Sequence, residues 1–310
     1  MPRELRPGQR AQLFIIDVRT AKASGRFASD TMLFEAPNWS PDGKSLIING
    51  DGRLFRLPVD GADAGGVLEE IDLGGIAEIN NDHVISPDGG TAYVSSEDSH
   101  IYAVDLAGSG GALAGTAPRR VTNDNGPNFK HYLHGVSPDG ATLAYIGLDA
   151  AGAQVRTNVY TVPSMGGPDR QLTNDNFPDD GAEFSPDGQW IYFNSERGSI
   201  APGHAQLFRM PATANRTGNT TDGEPGQLTF DDRVNWFPHP SPDGTQIAYV
   251  SFPPGTVGHP ADVPVVVRLL EKDGTIRDLA HVFGGQGTMN VPSWSPDGTR
   301  IAMVAYPLPE

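Results

Sequence analysis

The sequence predicts an all-β chain folded as a six-bladed propeller, with four antiparallel strands per blade and the last blade closed by N-terminal strands. Three observations predict it: a Ser-Pro-Asp-Gly motif recurs six times, an alternating strand follows each copy, and the last copy lacks strands that the N-terminus can supply. The copies read NWSPDGKSLIIN from Asn38, HVISPDGGTAYVSS from His83, HGVSPDGATLAYIG from His134, EFSPDGQWIYFNS from Glu183, HPSPDGTQIAYVS from His239 and SWSPDGTRIAMVA from Ser293. Their serines, Ser40, Ser86, Ser137, Ser185, Ser241 and Ser295, are 46, 51, 48, 56 and 54 residues apart, the length of a four-stranded blade with variable loops.

Each element follows from local chemistry. In the motif, Pro pre-sets φ, Asp suits the next turn position and Gly closes without a Cβ clash, so its Ser and Asp are scaffold and not a catalytic pair. An incoming strand runs into the turn and an alternating one, such as Thr245 to Ser251, leaves it. A third strand follows in RLFRLPV from Arg53, HIYAVDL from His100, NVYTVPS from Asn158, QLFRMPA from Gln206 and VVVRLLE from Val265. None follows the sixth copy, but QLFIIDV, Gln12 to Val18, matches QLFRMPA, and the GRFASD after it supplies a fourth strand. The expectation is one domain over residues 1–310, with blades opening near 36, 80, 129, 179, 235 and 290 and residues 11–30 completing the last. Removing the first 20 or so residues is then expected to open the ring.

Composition bounds the function. Hydrophobic residues make up 37% of the 310, enough for a folded core despite 38 Gly and 27 Pro. A net charge of -16 argues against nucleic acid and anionic membranes, and favours cationic partners, metal ions or neutral ligands. With no cysteine, disulfides, thiolate zinc sites and Cys nucleophiles are excluded. No stretch reaches 18 apolar residues and no signal-peptide core is visible, so a soluble protein without membrane insertion is expected: cytoplasmic as given, periplasmic or secreted if a leader was removed.

The repeated (W/F)SPDG…IAYVS, followed by Y/F-x-(V/M) and R-x-L-T, resembles the PD40 repeat of TolB-like six-bladed propellers, over essentially the full length. That resemblance implies fold more than function. A partial resemblance extends to oligogalacturonate lyase propellers, which have an extra blade and a histidine-rich metal site near the axis.

If the innermost strands run into the motif, all six turns lie on one face, and the opposite face, the mouth, collects the residues upstream of each serine and the long second-to-third connections. There His83, His134, Glu183 and His239 are candidate ligands for a divalent metal (Mn, Ca, Zn or Ni), because imidazole and carboxylate suit such ions; calcium at Asp-rich mouth loops is a lesser alternative. The first two histidines precede Ser by three residues and His239 by two, so their directions agree only if a bulge intervenes. Candidate ligand-binding residues are Asn38, Asn81, Asp82, Asp180, Asn235, Trp236, His259, Gln286 and Asn290. Candidate catalytic residues are His131 and Lys130 as base and Arg233 as anion clamp. GGQGT, Gly284 to Thr288, reads as a flexible loop, Trp39 and Trp294 as inter-blade core, and Asn215 in NRT as a chance glycosylation match.

Two functional readings follow. One is a carbohydrate-active propeller with a divalent metal at the mouth, a lyase or hydrolase of uronate-containing oligosaccharides. The other is a non-catalytic TolB-like propeller binding a peptide or protein partner through the mouth.

Overall fold

The computed structural model describes residues 3–59, 66–76, 78–109, 112–115, 118–213 and 223–309, with the backbone alone for 107–109 and 112–115. Asn215 lies outside the described residues. Six antiparallel sheets form a ring. The innermost strands of blades 1 to 5 are Phe34–Trp39, Ile79–Ile85, Phe129–Val136, Asp179–Phe184 and Val234–Pro240, each running into its Ser-Pro-Asp-Gly turn. In blade 6 the inner segment bridges Trp294 to Ile301, and strand Arg300–Ala305 pairs with Ala11–Asp17, which pairs with Lys22–Ser29. The N-terminal strands thus close the last blade. Blade 2 departs from four strands: Ala112–Gly115 and Arg119–Arg120 both pair with Ile101–Ser109, so its outer position is split in two.

The turns repeat in detail because their chemistry does. In all six, the Ser hydroxyl donates to the Asp carboxylate at 2.5–2.7 Å. The turn Gly sits at φ +69 to +74°, a left-handed conformation that other residues adopt at a cost. Prolines of one turn meet the glycine of the next: a Cβ on Gly140 would lie 3.6 Å from Pro87, and one on Gly43 3.6 Å from Pro296, across the closure.

Buried apolar side chains form a cluster at each blade-to-blade seam. Leu13, Phe34, Trp39, Val304 and Tyr306 fill the seam between blades 6 and 1, and Trp236, Trp294, Ile301 and Met303 that between 5 and 6. Trp39 and Trp294 are core, as the sequence predicts.

The inner strands carry the feature that shapes the site. Their pairing slips between Glu35 and Asn38, Ile79 and His83, Leu133 and Gly135, Asp180 and Glu183, and Trp236 and His239. Ala36, Gly181 and Phe237, each four residues before its motif serine, have φ between +53 and +67°. A bulge therefore resets the pleat in five blades. Upstream of it, Asn81, Tyr132, Asp180 and Trp236 face the mouth; downstream, Asn38 and Glu183 face a smaller cavity of about 230 Å³ nearer the turns.

Candidate functional site

The mouth holds a cavity of about 750 Å³, built chiefly by blades 2 to 5 with Gln286 and Asn290 from blade 6. Its floor is a charged network. His134 Nε2 lies 2.9 Å from Asp180 Oδ1, and His259 Nε2 lies 3.5 Å from Asp180 Oδ2. His259 Nδ1 bonds Gln286 Oε1, which also accepts from Asn290 Nδ2 at 3.1 Å. Although burial lowers the His134 pKa, the Asp180 bond and the Asp82 and Asp180 charges more than offset it, raising the pKa to about 9. The same histidines hold the Asp180 carboxyl below its usual range against the opposing effect of burial. His259 is raised for the reason that raises His134.

Asp82 differs. It is 4% exposed, accepts from Asn80 Nδ2 at 3.0 Å, and has no cationic nitrogen within ion-pair distance among the described residues. Burial pushes its pKa up to about 6. One wall is aromatic: the Trp236 ring meets His259 edge-on at 4.4 Å and lies 5.7 Å from Phe237. Phe237 is held at its bulge by Asn194 Oδ1, which accepts from its backbone N–H at 3.0 Å.

An uncharacterised protein of Agrobacterium fabrum is 39% identical to this chain over 305 residues, spanning 96% of this chain and 92% of its own. A solved structure from Agrobacterium tumefaciens, named as a candidate TolB, is 37% identical and superimposes with a TM-score of 0.83 over 97% of this chain and 99% of its own. This chain belongs to the TolB-like six-bladed β-propeller family. TolB from Acinetobacter baumannii (18% identity, TM-score 0.57, 89% of this chain and 64% of that one) shares the fold. So does an oligogalacturonate lyase in complex with manganese (13%, 0.58, 94% and 77%). No family model matches the sequence.

This TolB-like propeller does not bring the four metal candidates together. His83 Nε2 turns to the Ile47 carbonyl at 3.2 Å, and burial depresses its pKa to about 4. His239 has both ring nitrogens engaged, Nδ1 with Glu183 Oε2 at 2.6 Å and Nε2 with the Met289 carbonyl at 3.1 Å, on the turn side of the bulge. His134 stays on the mouth side with Asp180. The residues do not fit a shared ion, and among the described residues no group of three or more His, Asp or Glu is placed to hold one.

The other candidates divide. Asn81, Asp82, Asp180, Trp236, His259, Gln286 and Asn290 line the mouth together, as do Lys130 and His131. His131 is 2% exposed, packed on Phe129 and Tyr145, with Nδ1 bonded to the Ser99 carbonyl at 2.6 Å; burial lowers its pKa. Arg233 is elsewhere: Nε and Nη2 donate to the Ser251 hydroxyl and carbonyl at 2.9 and 2.7 Å, tying two strands of blade 5. Asn235 is fully buried between blades 4 and 5, donating to Asp231 Oδ1 at 3.0 Å and accepting from the Ser251 hydroxyl at 2.7 Å. Asn38 donates to the Pro292 carbonyl at 2.9 Å and faces the smaller cavity. The sequence reading missed Glu97, Glu196 and Phe237 in the lining. A Ser-Glu pair closing the second strand in YVSSED and YFNSER was the available signal for the two acids.

Proposed function

We propose that this chain is a non-catalytic binding propeller whose mouth receives a peptide segment of a protein partner. What carries the reading is the commitment of four of the seven candidate catalytic and metal groups to structural partners: His83 and His239 to backbone carbonyls, Glu183 to His239 and Arg233 to Ser251. The remaining mouth combines an aromatic wall with hydrogen-bonding and charged groups, the mixture that orients a ligand without reacting with it. A volume of about 750 Å³ takes a few side chains of an inserted segment. Membership of the TolB-like family agrees with a binding role. The manganese of the oligogalacturonate lyase belongs to that protein, and the donor set here supports no step through such an ion.

The test is a titration of the full chain with short peptides and, separately, with galacturonate oligomers plus manganese, followed by tryptophan emission and compared with Trp236→Phe. The reading predicts a Trp236-dependent change with peptides and neither change nor unsaturated product with the oligomers. Turnover of the oligomers would contradict it.

A further inference from the structure

Among the described residues eight large apolar side chains are exposed, and five of them, Val155, Phe177, Ile200, Phe230 and Val257, stand on mouth-side loops of blades 3 to 5. Scattered singly, such residues need no explanation. Here four belong to loops that interlock. Phe177 N donates to Asp175 Oδ1 at 3.0 Å, and Asp175 Oδ2 accepts from Arg197 Nη2 at 3.0 Å, joining the Phe177 loop to the 196–205 loop that carries Ile200. His204 bonds the Asp231 carbonyl at 3.0 Å, tying that loop to the segment of Phe230. A Cβ on Gly203 would lie 3.1 Å from Val257 Cα, so the fourth loop abuts as well. Ile200, Phe230 and Val257 are 75–82% exposed.

This apolar sector is continuous with the cavity through Val257, which lines both. Inside lie Asp82, 4% exposed and with no cationic nitrogen within ion-pair distance among the described residues, and the rim carboxylates Glu97 and Glu196. The Trp236 indole N–H, also in the lining, has no partner among the described residues.

We infer that this sector and the cavity form one docking surface for a protein partner that inserts a lysine or arginine side chain toward Asp82 and covers Ile200, Phe230 and Val257 with apolar side chains. The inference rests on the peptide-binding reading above and adds the chemistry of the occupant. Two complementarities select it. A desolvated carboxylate gains most from a partner charge delivered in a water-poor cavity, and apolar rim groups exclude water around such a contact. A chain of net charge -16 also attracts cationic segments over a distance.

The experiment pans the full chain against randomised dodecapeptides acetylated at the N-terminus, so that side chains are the only cations. Selected peptides are then titrated against wild type, Asp82→Asn and the double variant Ile200→Ser, Val257→Ser, each checked to unfold in a single cooperative transition. The expected result is a Lys or Arg beside apolar residues in the selected peptides, and about tenfold weaker binding to either variant. Replacing the peptide lysine with norleucine should lose the same amount on wild type and nothing on Asp82→Asn, which tests the contact with the protein intact. Peptides selected without cations, or bound equally by Asp82→Asn, would overturn the inference and leave peptide binding standing. Failure to retain any peptide would overturn both. A concentration-dependent dimer, lost in the double serine variant, would assign the surface to a second copy of the chain instead.

Discussion

Asp82 shows how a single residue reports on use. Its pKa of about 6 against 3.8 means the folded state disfavours the charged form, since burial outweighs the attraction of His134 and His259 and Asp180 adds repulsion; Tyr132 faces the same space. A raised acid pKa costs stability as pH rises from the unfolded value through about 6, by roughly 3 kcal/mol in all. Asp82→Asn keeps an acceptor for Asn80 and should therefore raise the unfolding temperature by a few degrees at pH 8, with little gain at pH 4; thermal unfolding at both values checks it. The His134–Asp180 pair has the opposite sign. His134, raised to about 9, contributes stability fully below pH 6.5 and loses it as pH rises through 9. Asp180, depressed, contributes above its ordinary value and loses it as pH falls. Asp180→Asn should thus destabilise by about 2–4 kcal/mol at pH 6 and by less at pH 9.5, measured by denaturant unfolding. A penalty independent of pH would contradict the ion pair.

Among the strands and turns, legibility followed locality. The Ser-Pro-Asp-Gly turns could be read because their bonds are made within five residues: Ser86 Oγ donates to Asp88 at 2.6 Å and accepts from Thr91 N at 2.9 Å. Ser86→Ala should cost about 1–2 kcal/mol, leaving the Asp88 carboxylate with only the Gly90 amide as donor and the Thr91 amide without its acceptor. The bulges could not be read, because a left-handed Ala36 or Phe237 carries no sequence mark of the kind a glycine gives. That single unread residue decides the direction of everything upstream. It explains why His134 and His239, one position apart in alignment, end on opposite sides of the bulge and why the metal reading finds no shared ion. In blades 2 to 6 the residue five before the serine lines the mouth, and strand direction already puts that position at the mouth end of the strand whichever way its side chain turns.

For the molecule as a whole, the ring is locked by contacts distant in sequence. Arg3 donates to Glu35 Oε1 and to the Gln286 carbonyl at 2.7 Å, reaches Asp262 Oδ1 at 3.0 Å, and stacks over Tyr306 at 4.0 Å, so one side chain joins blades 1, 5 and 6. Nothing in the sequence marks it, since its hydrogen-bond partners lie 32 to 283 residues away. Arg3→Ala leaves two carboxylates without this cation and should cost about 2–4 kcal/mol. Deleting residues 3–17 removes the strand paired with Arg300–Ala305 and should abolish a single cooperative unfolding transition. The propeller and its closure were legible because repeats declare themselves. The ligand was not, because the mouth is where the repeats diverge.

The mouth, rimmed by blades 3 to 5, is the surface we propose receives a protein segment. Hydrogen exchange of the full chain with and without a saturating selected peptide tests it most directly. Slowed exchange is expected in residues 129–134, 196–205, 229–237 and 253–260, with the Ser-Pro-Asp-Gly face unchanged. Protection confined to that opposite face would contradict it.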